Sequence, residues 1–301
     1  MNEYLGEFFG TMILIVLGNG VVAGVLLGRS KSQNAGWIAI TAGWAFAVMA
    51  GISIARAMGA PGYINPVGPL AGLVTGDLES EKVGWFAMAE FAGAFTGAIM
   101  VWLHYLPHWA ETPDAATKLA VFCTSPAIRW PIANLVSEVI ATFVLVFVAG
   151  AIAKNEVGRE GIAPLVGGVV WGIGLSLGGT TGYAINPARD LSPRIAHAVL
   201  PIPGKGSSDW SYAWIPVLGP ALGASFAAVL VKLVMISTIR EKKILPNKQP
   251  VGILELAIQG ITSGGLHSSN SGCKLNSNPK QDGKLPLFAR ACRSGGLPAA
   301  G

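Results

Sequence analysis

Two short polar segments interrupt an otherwise apolar sequence, and each contains an Asn-Pro pair. Residues 61–69 read Pro-Gly-Tyr-Ile-Asn-Pro-Val-Gly-Pro, and residues 178–194 read Gly-Gly-Thr-Thr-Gly-Tyr-Ala-Ile-Asn-Pro-Ala-Arg-Asp-Leu-Ser-Pro-Arg. Asn is a favoured N-cap and Pro is a favoured first helical residue, so each pair predicts the start of a helix. The duplication indicates that both segments serve one function.

The two predicted helices are too short to cross a bilayer. Residues 66–75 end at Gly76 and residues 187–200 end at Pro201. At about 1.5 Å per residue they cover about 15–21 Å of the roughly 30 Å of hydrocarbon. Backbone that enters a membrane without crossing it is tolerated only inside protein or beside a water-filled cavity. We therefore expect a pore or binding site at the two helix starts, formed by Asn65, Pro66, Asn186 and Pro187.

The composition is typical of a polytopic membrane protein. Hydrophobic residues make up 51% and charged residues 12% of the chain, whereas soluble domains contain about a quarter charged residues. The net charge of +5 comes largely from the C-terminal region, so we expect no nucleic-acid partner. Three scattered cysteines do not suggest a disulfide framework or a zinc site. We expect neither a metal nor a cofactor.

Six apolar segments have the length of membrane spans. They are residues 4–27, 36–58, 84–106, 132–153, 162–181 and 213–237. Six crossings put both chain ends on one side of the membrane. Basic residues follow the last span, so the positive-inside rule predicts cytoplasmic termini. Residues 238–301 are rich in Gly, Ser, Asn and Pro and are predicted to form a disordered cytoplasmic tail.

The chain also contains an internal repeat. Glu7 and Thr11 are spaced as Glu138 and Thr142 are, and an apolar run follows each pair. Residues 1–106 and 132–237 are therefore predicted to be two copies of a unit of three spans and one half-helix. Because three is odd, the second copy must be inverted in the membrane. The predicted fold is an all-α inverted repeat with six transmembrane helices and two re-entrant half-helices.

In this arrangement the half-helices meet N-terminus to N-terminus. Each N-terminus carries about half a positive charge, so the meeting point should repel cations and protons. If each Asn oxygen caps its own helix, its NH2 group is left to donate to a solute in the lumen. A water molecule bound to both amides would turn its hydrogens outward and interrupt a proton wire. Glu7 and Glu138 are candidate acceptors for backbone N–H groups of the re-entrant loops.

With these residues identified, residues 4–237 resemble the aquaporin superfamily and within it the glycerol facilitator branch. The resemblance is strongest in residues 181–194, including Asp190 after the Arg of the motif. It implies a homotetramer with one pore per subunit and gives Asp190 a structural role in its loop. It also implies a selectivity filter formed by Trp44, Gly174, Tyr183 and Arg189.

This filter would suit a small polyol. Gly174 occupies a position that is His in many water channels, so the constriction should be wider. Trp44 and Tyr183 would face the C–H edge of glycerol, while Arg189 would bind its hydroxyl groups and repel cations. The first motif departs from the family pattern at Tyr63, Val67 and Pro69.

The sequence thus predicts a plasma-membrane channel that passes glycerol, other small uncharged solutes and water, and excludes ions and protons. A water-selective aquaporin is the main alternative. A secondary transporter would need coupling carboxylates at the midplane, but Glu7, Glu90 and Glu138 are better explained as ties to buried backbone. An enzyme is not indicated, because the chain lacks catalytic motifs and its histidines are dispersed.

Overall fold

In a computed structural model, the described part of the chain is helical and contains no strand. The structure describes residues 2–154 and 156–244, with the side chains of residues 2–154 and 158–234. The helices are α1 Asn2–Leu26, α2 Trp37–Ala57, α3 Val67–Thr75, α4 Ser80–His104, α5 Leu106–Ala110, α6 Ala115–Phe122, α7 Pro131–Lys154, α8 Glu156–Glu160, α9 Ile162–Ser176, α10 Pro187–Val199 and α11 Ile215–Ile244. Residues 238–244 continue α11, and the rest of the predicted tail lies outside the described residues.

Five helices in the described residues are long and apolar enough to cross a membrane, namely α1, α2, α4, α7 and the Ile215–Val234 part of α11. The fifth predicted span, residues 162–181, was too long at its C-terminal end. α9 stops at Ser176 after 15 residues, and residues 177–181 form turns. Two glycines, Gly178 and Gly179, follow the helix. Glycine lowers helix propensity and favours a turn at this position.

The helices pack as two related sets. α1 contacts α2 and α4, and α7 contacts α9 and α11, so each set contains three apolar helices, of which α9 is the shortest. The half-helices α3 and α10 each contact a long helix of the other set, since α3 packs on α11 and α10 packs on α4. This packing has the pattern that a repeat of three spans and one half-helix predicts. It brings both Asn-Pro segments to the interior between the sets.

Glycines allow the long helices within each set to approach closely. A Cβ atom at Gly93 of α4 would lie 2.2 Å from the Phe8 carbonyl oxygen of α1. At the matching place in the second set, a Cβ atom at Gly223 would lie 2.3 Å from the Val139 carbonyl oxygen. Neither contact leaves room for a side chain, as is common where membrane helices pack closely. Phe8 and Val139 directly follow Glu7 and Glu138, so this packing places both glutamates.

Candidate pore and selectivity site

The tips of the two half-helices are joined by reciprocal hydrogen bonds. The Asn65 Nδ2 atom donates to the Ile185 carbonyl oxygen, and the Asn186 Nδ2 atom donates to the Ile64 carbonyl oxygen, both at 2.9 Å. An amide NH2 group has two donor hydrogens. Each Asn therefore retains one N–H rather than the pair that we expected from the sequence. The structure brings Asn65 and Asn186 together. Pro187 is the first residue of α10, whereas α3 begins at Val67, one residue after Pro66.

The amide oxygens of the two asparagines cap their own half-helices to different extents. The Asn186 Oδ1 atom accepts from the backbone N–H groups of Ala188 at 2.9 Å and Arg189 at 3.1 Å. Within the described residues, the Asn65 Oδ1 atom accepts only from the Val67 N–H group, at 3.2 Å. Both oxygens satisfy helix N–H groups that have no partner inside the helix. The α10 tip is therefore the more completely capped of the two.

The isoleucine before each Asn has an unusual backbone conformation. Ile64 has a φ of 45° and Ile185 has a φ of 44°. Positive φ is costly for a β-branched residue and persists only where the surroundings enforce it. Here it goes with carbonyl groups that bind the Asn of the opposite loop. Sequence analysis missed this role, although the shared Ile-Asn-Pro triplet is a visible sign of it.

Two buried glutamates hold these strained loops by accepting hydrogen bonds from the backbone N–H groups of the loops. Glu7 accepts from the N–H groups of residues 62, 63 and 64 at 2.7, 2.9 and 2.7 Å. Glu138 accepts from Ala184 and Ile185 at 3.0 Å and from the Thr181 hydroxyl at 2.6 Å. Glu90 adds a bond from the Asn65 N–H at 3.1 Å. Charge-assisted bonds of this kind can offset backbone strain.

A cavity of about 360 Å³ runs along these groups. Its polar lining includes both Asn residues and three of the predicted filter residues, Trp44, Tyr183 and Arg189. Much of the remaining wall consists of apolar side chains from α2, α7 and α9. A cavity with an apolar wall and a few convergent polar groups suits a small solute that carries hydroxyl groups on one edge.

Arg189 and Trp44 form one corner of the cavity. The Arg189 Cζ atom lies 4.1 Å from the centre of the Trp44 ring, a cation–π distance. An Nη1 hydrogen bond of 3.2 Å to the Phe122 carbonyl oxygen fixes the guanidinium from another side. Gly18 makes room for the ring, because a Cβ atom there would lie 2.2 Å from Trp44 Cζ3. The guanidinium has five donor hydrogens, so donors remain for a solute.

Gly174 lies behind Tyr183 and is absent from the described lining of the cavity. A Cβ atom at Gly174 would lie 3.0 Å from Tyr183 Cζ and 2.9 Å from Thr41 Cγ2. The Gly174 carbonyl accepts from the Trp37 indole N–H at 3.0 Å, and the Trp37 ring meets Tyr183 edge-on. The predicted wider constriction at Gly174 stays a prediction. The missing side chain of Gly174 leaves the space that Tyr183 and Thr41 occupy.

Asp190 organises the loops around Arg189. Its Oδ2 atom accepts from the Thr124 N–H and hydroxyl groups, both at 2.7 Å. Its Oδ1 atom accepts from Arg194 Nε at 3.0 Å and Nη2 at 2.8 Å, and both side chains of this ion pair are fully buried. Thr124 lies two residues after Phe122, whose carbonyl binds Arg189. Sequence analysis missed Thr124 and Arg194, although the i,i+4 spacing of Asp190 and Arg194 could have indicated the pair.

A surface ion pair extends this network to the loop after α10. Arg129 Nη2 lies 2.6 Å from Asp209 Oδ2, and the Asp209 carbonyl accepts from Arg194. Partial burial opposes ionisation of Asp209, but hydrogen bonds from Arg129 and Ser211 outweigh it and lower the pKa of its carboxyl group. The loop is thus held by an ionised carboxylate.

Lysine side chains bind the C-terminal ends of both half-helices. Lys205 Nζ donates to the Ala198 and Leu200 carbonyl oxygens at 2.6 and 2.7 Å, and Lys232 Nζ donates to the Val74 carbonyl oxygen at 3.1 Å. A cation is favourable at a helix C-terminus.

Within the described residues, no group of three His, Cys, Asp or Glu side chains could hold a metal ion.

Residues 1–231 match the family model described as major intrinsic protein. The "Probable glycerol uptake facilitator protein" of Thermotoga maritima is 53% identical over 232 residues, covering 76% of this chain and 98% of that protein. "Glycerol uptake facilitator protein 3" of Lactiplantibacillus plantarum is 53% identical over 229 residues, covering 76% of this chain and 95% of that protein.

A solved structure shows the same fold. The X-ray structure of the aquaglyceroporin from Plasmodium falciparum superposes with a TM-score of 0.68 and 23% identity, covering 79% of this chain and 98% of that one. The same assignment follows from the paired half-helices with their Asn-Pro tips and from the family match over residues 1–231. The chain belongs to the major intrinsic protein family and is an integral membrane protein with the aquaporin fold.

Proposed function

We propose that this protein is a passive channel for glycerol and other small uncharged solutes, and for water. The observation that carries the proposal is the cavity that joins the Asn65 and Asn186 amides to the corner of Trp44, Tyr183 and Arg189. Its polar groups suit the hydroxyl edge of a polyol, and its apolar wall suits the C–H edge. The names of relatives that are 53% identical over nearly their whole length support glycerol as the solute.

The cavity geometry suggests how glycerol would pass. Its C–H edge would lie against Trp44 and Tyr183, while its hydroxyl groups accept hydrogen bonds from the free donors of Arg189. At the centre, the remaining N–H of each Asn amide would donate to a hydroxyl group. Because these donors are held in place before the solute arrives, little ordering is required when it binds.

The same features would exclude ions and protons. Two helix N-termini and the Arg189 guanidinium create a positive potential along the route, which repels cations. A water molecule that accepts from both Asn amides cannot accept a further proton from a neighbouring water. Anions would also lose their hydration in a cavity with an apolar wall.

The buried carboxylates support a passive mechanism. Glu7, Glu138 and Glu90 all bind backbone N–H groups of the re-entrant loops. A coupled transporter would need carboxylates that exchange protons or bind sodium during the cycle, whereas Glu7 and Glu138 each use both oxygens to hold strained backbone. An enzymatic activity finds no support in the cavity, which offers no nucleophile paired with a base.

The proposal includes the assembly and placement of the channel. A homotetramer with one pore per subunit follows from the resemblance to the aquaporin superfamily. The positive-inside rule favours cytoplasmic termini, because basic residues are concentrated after the last span. A plasma-type membrane is the natural location for the uptake of a small solute.

Stopped-flow light scattering of proteoliposomes tests the function. We expect glycerol and water permeabilities well above those of protein-free liposomes, with no change when a proton or sodium gradient is imposed. Water permeability without glycerol permeability would indicate the water-selective alternative. Glycerol flux that depends on a gradient would indicate a secondary transporter.

A further inference from the structure

The two halves of the cavity differ at matching positions around the asparagines. Three residues after Asn186 stands Arg189, and three residues after Asn65 stands Gly68. Two residues before Asn186 stands Ala184, whereas two residues before Asn65 stands Tyr63. The half of the cavity beside α3 therefore has no counterpart of the Arg189 guanidinium and has an aromatic residue instead.

The Tyr63 ring lies along α3 where that helix has no side chains. A Cβ atom at Gly68 would lie 2.7 Å from Tyr63 Cδ1, and a Cβ atom at Gly72 would lie 3.6 Å from the Tyr63 hydroxyl oxygen. The ring thus runs from Gly68 towards Gly72, one helical turn further along α3. Its position also brings it edge-on to Phe86, with ring centres 5.5 Å apart. The backbone N–H of Tyr63 is held by Glu7 at 2.9 Å.

The Tyr63 hydroxyl has no hydrogen-bond partner among residues 2–154 and 158–234, and it is not among the fully buried polar atoms. Tyr63 lines the cavity next to apolar residues, including Val67 and Ala71 of α3 and Ala149 and Ala153 of α7. Its hydroxyl is therefore a polar group beside an apolar stretch of wall and close to Gly72.

We propose that Tyr63 forms a second polyol subsite, in the half of the cavity beside α3. The phenol ring contacts the C–H edge of the solute, and the hydroxyl exchanges a hydrogen bond with one of its OH groups. Gly68 is the positioning residue that lets the ring lie against α3. The subsite rests on the proposed glycerol function and adds a residue that sets the preference for polyol over water.

Removal of the hydroxyl is the first test. Tyr63→Phe keeps the ring and should lower the ratio of glycerol to water permeability by about three- to tenfold, the range that one uncharged hydrogen bond is worth. Tyr105→Phe is the matched control, because the Tyr105 hydroxyl donates to the Gly20 carbonyl away from the cavity. The control should leave the ratio unchanged. An unchanged ratio in Tyr63→Phe would overturn the subsite.

Displacement of the ring is the second test. Gly68→Ala should push the ring off α3 into the cavity and lower glycerol permeability more than water permeability. In a Tyr63→Ala background, Gly68→Ala should have little further effect, because the two residues act through one contact. Gly172→Ala is the control, since a Cβ atom there meets nothing within 4 Å. Equal losses from Gly68→Ala in both backgrounds would contradict the positioning role.

These tests separate the subsite from the function on which it rests. If unmodified protein conducts no glycerol, the proposed function fails. If it conducts glycerol and neither Tyr63→Phe nor Gly68→Ala alters the ratio to water, only the subsite fails.

Discussion

The half-helices α3 and α10 begin alike and are built differently. Both start at an Asn-Pro pair, follow a strained isoleucine and are held by a buried glutamate. Beyond the tip, positions of α10 carry Arg189, Asp190 and Arg194, all buried. The matching positions of α3 carry Gly68, Pro69 and Leu73. The two half-helices are therefore alike at their tips, where the asparagines meet. They differ further along, where their side chains line or support the wall of the cavity.

The difference extends to the first turn of each half-helix. Pro69 has no N–H, so it cannot bond to the Asn65 carbonyl as a helix would require. In the structure the Gly68 N–H takes that acceptor instead, at 2.8 Å. This tight bond explains why the Asn65 side chain caps one N–H group and the Asn186 side chain caps two. The α10 half is thus the more rigidly built.

The largest effect is expected from the ion pair that α3 lacks. Asp190→Ala leaves Arg194 buried without its partner and should reduce the free energy of unfolding by about 3–5 kcal/mol. Glu111→Ala breaks the exposed Arg29–Glu111 pair and should cost less than about 1 kcal/mol. Unfolding of the detergent-solubilised protein measures both. Equal losses would show that the buried ion pair of α10 stabilises the protein no more than an exposed pair does.

A substitution shared by both halves should have equal effects. Glu7→Gln and Glu138→Gln each replace one acceptor oxygen by an NH2 group that faces a backbone N–H group. Each should reduce the free energy of unfolding by about 1–3 kcal/mol, the cost of an unsatisfied buried group. The same unfolding measurement applies. If one variant were as stable as the unmodified protein, the two loops would not be held in the same way.

The selectivity filter lies in the α10 half of the cavity, so a change there should affect the choice between glycerol and water. Gly174→His would force Tyr183 and Thr41 apart, since a Cβ atom already lies 3.0 Å from Tyr183 Cζ. Glycerol permeability should fall by about tenfold, roughly 1.4 kcal/mol, and water permeability should fall less. Gly172→His serves as control, because its Cβ atom would meet open space. Equal loss of both fluxes would count against the filter assignment.

The smallest effect is expected at Pro69. Pro69→Ala restores an N–H group that can bond to the Asn65 carbonyl, a gain of about 1 kcal/mol. It also frees the unfolded chain, which costs about 0.4–1 kcal/mol. The net change in unfolding free energy should therefore be close to zero. A gain above about 2 kcal/mol would show that Pro69 strains α3.

Local rules were enough to predict much of this fold. The half-helices follow from cap preferences, and the repeat follows from the matched Glu-Thr spacing with its apolar runs. The predicted end of the fifth span was wrong because residues 177–181 carry no charge, and hydropathy does not detect the turn that they form. The surroundings of a single site residue are harder to predict, because long-range packing decides them. Tyr183 and Thr41 occupy the space beside Gly174, and neither of them is a helical neighbour of Gly174 in the sequence.

Long-range contacts also explain why the roles of some site residues could not be predicted from the sequence. Thr124 binds Asp190 across 66 positions of sequence, and no local pattern marks it. The positive φ of Ile64 and Ile185 depends on an Asn from the other half of the chain. Such contacts exist only once both half-helices have met.

The most direct test of the central claim asks whether solute passes between the two tips. The chain's own cysteines, Cys123, Cys273 and Cys292, are first replaced by Ala. A cysteine is then introduced either at Ala71, which lines the cavity, or at Gly172, whose side-chain direction is open. Glycerol flux into proteoliposomes is measured before and after reaction with N-ethylmaleimide. We predict that modification at residue 71 abolishes most of the flux and modification at residue 172 leaves it intact. Undiminished flux after complete modification at residue 71 would contradict a route along α3 and between Asn65 and Asn186.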